Sequence, residues 1–144
     1  MHGTQRAPSQ RGFSLIEILV TIVVTAVGLL GFAGLQAYSI KNNRIAMQHS
    51  LATVYANNII DCMRANRAAV GNYTLSTFTD AHSRDGTVAA DDVADWLNAI
   101  KNNLPAGQAR LTFATGVYTI EIRWSESLSS DDAATHTFKT ETSI

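Results

Sequence analysis

Glu17 is the residue that asks most insistently for a chemical role, because it stands inside an otherwise chargeless apolar run reaching to about Leu35. A carboxylate at the centre of a membrane helix costs about 2.5–3.5 kcal/mol on insertion scales, and less near an interface. Such a group calls for a partner, and the chemistry it offers is charge pairing rather than catalysis. The densest set of potential metal ligands is Asp80, His82, Asp85, Asp91, Asp92 and Asp95. Their spacing does not suit a calcium loop, since His82 and Arg84 take two ligand places and Asp85 takes the place of the turn glycine. They read as a solvated loop followed by a helix cap, so neither a metal nor a cofactor is expected. His49, His82 and His136 fall on a helix, a loop and a strand, with nothing in the sequence to bring them together. No Gly-x-Ser-x-Gly, Cys-x-x-Cys, Walker or His-Glu-x-x-His pattern occurs, so no catalytic residue is assigned and an enzyme is not expected.

The element that carries Glu17 must be a helix. From Phe13 onward there is no proline until Pro105, and at about 1.5 Å rise per residue the apolar run can cross a hydrocarbon core about 30 Å thick. Arg6 and Arg11 before the run are matched by Lys41 and Arg44 after it, so counting cations does not orient the segment. A secretory signal cleaved near Ala33 to Ala37 is a rival reading, but its apolar core would be shorter and Glu17 would sit badly in it. Gly28, Gly31 and Gly34 recur every third residue, which suits close helix contact as well as the ordinary glycine content of membrane helices. Residues 1–12, polar and containing Pro8, read as a removable leader.

The junction Gly12-Phe13-Ser14-Leu15-Ile16-Glu17, with the apolar helix behind it, resembles the type IV prepilin signature. The resemblance implies cutting by prepilin peptidase between Gly12 and Phe13 on the cytoplasmic side. It also implies methylation of the new Phe13 amine, giving N-methylphenylalanine, and an assembly role for the Glu17 carboxylate. Phe13 and Glu17 are one helical turn apart on one face, so a terminal amine and this carboxylate can partner each other within or between subunits. The segment Asn58-Ile59-Ile60-Asp61-Cys62-Met63-Arg64-Ala65-Asn66-Arg67-Ala68-Ala69-Val70 is similar to the end of the long helix in PilV-type minor pilins, with Cys62 where a basic residue is more usual. By this resemblance the chain is a structural minor pilin that enters or primes a type IV pilus and supports adhesion or twitching motility. Its partners would be prepilin peptidase and other minor and major pilins. It would be a single-pass protein of the inner membrane, head in the periplasm, and then part of the pilus or its tip at the cell surface. A minor pseudopilin of a type II secretion system and a membrane-anchored extracytoplasmic binding module are the alternatives.

Composition bears on both readings. The formal charge of −1 becomes −3 once Arg6 and Arg11 leave with the leader, so there is no electrostatic case for binding nucleic acid. Cys62 is the single cysteine, which excludes an intramolecular disulfide and departs from the disulfide loop common in major pilins. Its place on an amphipathic helix reads as a buried, inert thiol.

The resulting expectation is an α+β protein: a leader over 1–12, a long helix over 13–66 with about 13–37 in the membrane, and a globular head over 67–144. Beyond Lys41 the helix becomes amphipathic, with Met47, Leu51, Val54, Tyr55, Ile59, Cys62 and Met63 predicted to face the head. Residues 73–78 read as a short strand or extended connection. A helix over about 91–104 is predicted, capped by Asp91 or Asp92 and ended by Pro105 and Gly107. Period-two alternation predicts strands over about 110–115, 117–125 and 135–142, with a turn at Thr115-Gly116. A three-stranded antiparallel sheet covered by the long helix follows, with Trp96 and Trp124 on apolar faces and therefore in the core.

Overall fold

The computed structural model of the chain describes residues 13–125 and 134–144. One uninterrupted helix, α1, runs over Leu15–Ala65 and contributes to two compact units, Met1–Asn42 and Asn43–Ile144. In the first unit every described residue is exposed, and its large apolar side chains meet no protein core. That pattern suits a helix whose solvent is lipid, and the segment is long and apolar enough to cross a membrane.

The second unit is an α+β structure. Residues 43–65 of α1 lead into a 3-10 segment over Arg67–Asn72, then β1 (Leu75–Thr79), α2 (Val88–Asn103), β2 (Gln108–Ala114), β3 (Val117–Ser125) and β4 (Thr135–Thr142). The strands form one antiparallel sheet in the order β1-β2-β3-β4, so the sheet has four strands rather than three. The extra strand is β1, whose register against β2 slips between Leu75↔Leu111 and Thr79↔Ala109. It overlaps the stretch 73–78 read as a short strand or extended connection, and its bulge interrupts the period-two alternation that would have assigned it to the sheet.

The β2–β3 hairpin closes through Thr115 (φ 52°) and Gly116 (φ 83°), the two positive φ values that a two-residue primed turn demands. Along β3 the pattern is regular: Tyr118, Ile120, Ile122 and Trp124 are buried while Thr119, Glu121 and Arg123 face outward. On the outer face Arg110 and Arg123 both lie over the Phe78 ring, at 4.7 and 4.2 Å from its centroid. Arg110 also pairs with Glu121 across the strands at 2.5 Å.

The face that α1 turns to this core differs from the predicted one. Met47 and Val54 are 65% and 59% exposed, Leu51, Tyr55 and Cys62 are half-buried, and only Ile59 and Met63 of the predicted stripe are buried. The buried face is Gln48, Ala52, Ala56, Ile59, Ile60 and Met63. It lies a fraction of a turn away because Ala52 and Ala56, poor in hydrophobic surface but small, allow the helix backbone to come close to the core. Isoleucine and methionine then fill the space farther along, each large apolar side chain contributing about 1.5–3 kcal/mol on burial.

Both tryptophans are in the core, and each uses its indole N–H to hold α1. Trp96 donates to the Tyr55 carbonyl at 2.8 Å, and Trp124 to Gln48 Oε1 at 3.0 Å. Helix α2 begins one turn before the predicted start because its cap is Thr87, whose hydroxyl accepts from the Ala90 N–H, rather than Asp91 or Asp92. After α2 the chain turns back so tightly that a Cβ on Gly107 would stand 2.8 Å from the Ile100 carbonyl oxygen, which makes glycine necessary there.

Candidate functional site

Helix α1 begins at Leu15, and the carbonyl of Ser14 accepts the first turns, from Glu17 N at 3.0 Å and Ile18 N at 3.3 Å. Glu17 thus falls in the first turn, where unsatisfied N–H groups give the helix its positive end and favour a carboxylate. Four residues on, Thr21 folds its hydroxyl back onto the Glu17 carbonyl at 2.7 Å, which removes a polar group from the apolar surface. Phe13, Glu17 and Thr21 follow one another at the helical period. With Ile18 and Ile22 they line a shallow open groove on one face of the helix. Phe13 is 81% exposed, and among the described residues no cation meets the Glu17 carboxylate. Gly12 lies outside the described residues.

The acid-rich segment forms no common centre. Arg84 pairs with Asp91 at 3.5 Å and with Asp95, while Lys101 pairs with Asp80 at 2.9 Å. Asp85 accepts from the Thr87 N–H and hydroxyl at 2.9 and 2.6 Å, and Asp92 accepts from the Tyr73 hydroxyl at 2.5 Å. The carboxylates are therefore drawn to separate structural tasks, Asp91 and Asp95 sharing Arg84. The Lys101 hydrogen bond and charge hold the Asp80 carboxyl below the usual carboxylate range, and the bonds from Thr87 do the same for Asp85. Among the described residues no three His, Cys, Asp or Glu side chains converge on one point.

Tyr73 joins the end of α1 to α2, since its hydroxyl also accepts from Asn66 Nδ2 at 3.2 Å. Burial and the hydrogen bond to Asp92 push its phenol up to about 12. Cys62 is half-buried nearby, and burial followed by the charges of Asp92 and Asp61 pushes its thiol up. A thiol so placed is a poor nucleophile.

The histidines are a correction. His49 and His136 are not separate: they meet at a ring-centroid distance of 5.6 Å, and both contact Trp124, at 5.0 and 5.7 Å. His136 Nε2 is buried without a protein partner among the described residues. His49 is on α1 and His136 on β4, where it pairs with Trp124 of β3, so the tertiary fold alone brings them together. The alternation of β4 placed His136 and Phe138 on one face, but no local signal linked either to the long helix.

Residues 8–33 match the family model described as the prokaryotic N-terminal methylation motif, a span that contains Gly12, Phe13 and Glu17. The N-terminal region is accordingly type IV prepilin-like, of the kind carried by pilin-like and pseudopilin-like structural proteins. No characterised protein and no solved structure matches the chain significantly.

Proposed function

We propose that the chain is a structural minor pilin of the PilV type, cut by prepilin peptidase between Gly12 and Phe13 and built into, or priming, a type IV pilus. The observation that carries this reading is Glu17. It is a first-turn carboxylate on an apolar helix with no cation beside it among the described residues, within a stretch that matches the methylation motif. When such helices bundle, the carboxylate leaves water and lipid headgroups for a medium of low dielectric, where an unpaired charge costs several kcal/mol. The methylated amine of Phe13 on a neighbouring subunit removes that cost and sets how far one helix is displaced along the next.

The head then selects neighbours, and the helix supplies the common means of assembly. Before assembly the chain sits in the inner membrane with its head in the periplasm, and afterwards in the pilus at the cell surface. Glu17→Leu and Glu17→Gln variants, expressed beside the other pilins, test the role of the carboxylate. Both should reach the membrane and both should be depleted from sheared filaments. Normal incorporation of either variant contradicts the proposed pairing.

A further inference from the structure

Strand β2 is longer than its neighbour on one side. Its pairing with β1 ends at Leu111, opposite Leu75, while Thr112, Phe113 and Ala114 continue to the hairpin paired only with Thr119, Tyr118 and Val117 of β3. Alternate residues of an antiparallel strand direct their N–H and C=O groups to opposite edges. At least one of these three therefore offers both backbone groups to the open side. A concavity of about 430 Å³ lies at that place, lined by Thr74, Ser76, Leu111, Thr112 and Phe113. The Phe113 ring packs at a tilt against Tyr118, with ring centroids 4.6 Å apart, on the core face of the sheet, yet it is 55% exposed.

From this we infer that the notch beside residues 112–114 takes an extended, uncharged segment of a neighbouring filament subunit, which adds a short strand to β2 and lays an apolar side chain on Phe113. This deepens the filament reading above and rests on it for the identity of the neighbour. Three features fix the chemistry of the occupant. The open strand edge asks for backbone donors and acceptors in extended form. The exposed phenyl asks for an apolar side chain on the core-facing side. The lining contains hydroxyls and hydrocarbon but no charge, in contrast to the ion-paired surface around Asp80, Arg84 and Lys101, so a charged segment would lose hydration without gaining a partner.

Size fixes the setting. Three residues of strand cover about 10 Å, far less than the roughly 800 Å² per partner that holds two free proteins together. The contact is therefore a supplement between chains already tethered side by side, where a high effective concentration makes a weak strand pairing count.

The test uses the full chain, isotopically labelled in detergent micelles, titrated to millimolar levels with the capped peptide acetyl-Ser-Val-Thr-Val-Ser-amide. The same peptide N-methylated at alternate amides serves as control. The expected result is saturable shift changes centred on residues 111–114, at least about tenfold weaker for the N-methylated peptide and for a Phe113→Ser protein whose melting midpoint is unchanged. Three outcomes would overturn the notch: no saturable change, equal binding of the N-methylated peptide, or changes centred on the outer edge of β4. Because the peptide assay needs no filament, peptide binding by a chain that never enters pili would leave the notch standing and remove only the proposed neighbour.

Discussion

The two parts of α1 differ in composition and answer to different surroundings. Over residues 15–35 every side chain is apolar except Glu17, Thr21 and Thr25, and all residues through 42 are exposed, so hydrophobicity there reports the lipid the helix is suited to, not a face. Over residues 43–65 only one side is buried, and it is chosen by fit: Ala52 and Ala56 turn inward while Met47 and Val54 stay out. Apolar content thus marks a segment long and apolar enough to cross a membrane, whereas in the globular unit the size of each side chain decides which face packs.

The largest effect that would break this comparison comes from the core. Leu97→Ala, fully buried on α2, should cost about 2–5 kcal/mol and lower the thermal midpoint of the globular unit. Leu30→Ala in the exposed apolar part should leave that midpoint unchanged. Equal shifts for both variants in calorimetry would mean that the two parts share one core. Next in size, Gln48→Leu strips the buried Trp124 N–H of its acceptor and should cost about 1–3 kcal/mol, with a red or blue shift of tryptophan emission as a second readout. Thr87→Ala removes the hydroxyl that caps α2 and should cost about 1 kcal/mol by denaturant unfolding. Smallest of all, Met47→Ser and Val54→Ser should change stability by less than about 0.5 kcal/mol, although both residues belong to the stripe with the greater hydrophobicity. A loss of several kcal/mol from either would restore the predicted face.

Acid and base should act on different parts of the globular unit. Asp80 and Asp85 have carboxyls held below their ordinary value of 3.8, so what they contribute is present above that value and fades as pH falls through their lowered values. Tyr73 has the opposite sign: its contribution is intact below pH 10 and is lost as pH rises through about 12. Tyr73→Phe should remove much of the alkaline dependence and leave the acid limb in place, as equilibrium unfolding against pH would show.

Much of this was legible from residues alone, for reasons that can be named. The strict alternation from Val117 to Trp124 fixed β3 because half its side chains are buried at period two, and the apolar run fixed the helix that carries Glu17. Strand β1 was legible as a short strand or extended connection over 73–78 but not as a member of the sheet, because its bulge interrupts the alternation, and the inward face of α1 was hidden because alanine adds little to a hydrophobic pattern while permitting the closest approach. The cap of α2 had a local signal in Gly86-Thr87, outweighed by the acids at Asp91 and Asp92, which serve other partners. The contact of His49 with His136 and the open notch at Phe113 had no local signal, since both arise from segments that meet only in the folded sheet. For the candidate site itself, Glu17 stood out as the one charge in the apolar run and Phe13 entered through the prepilin resemblance, whereas the return of Thr21 onto the Glu17 carbonyl needed the helix geometry.

The most direct test of the central claim is the intact mass and N-terminal sequence of the protein isolated from its native envelope. The account predicts a chain that starts at Phe13, carries one methyl group on that amine and lacks Gly12 and everything before it. A mature chain that starts at Met1, or within residues 33–37 as a secretory signal would leave it, would contradict it.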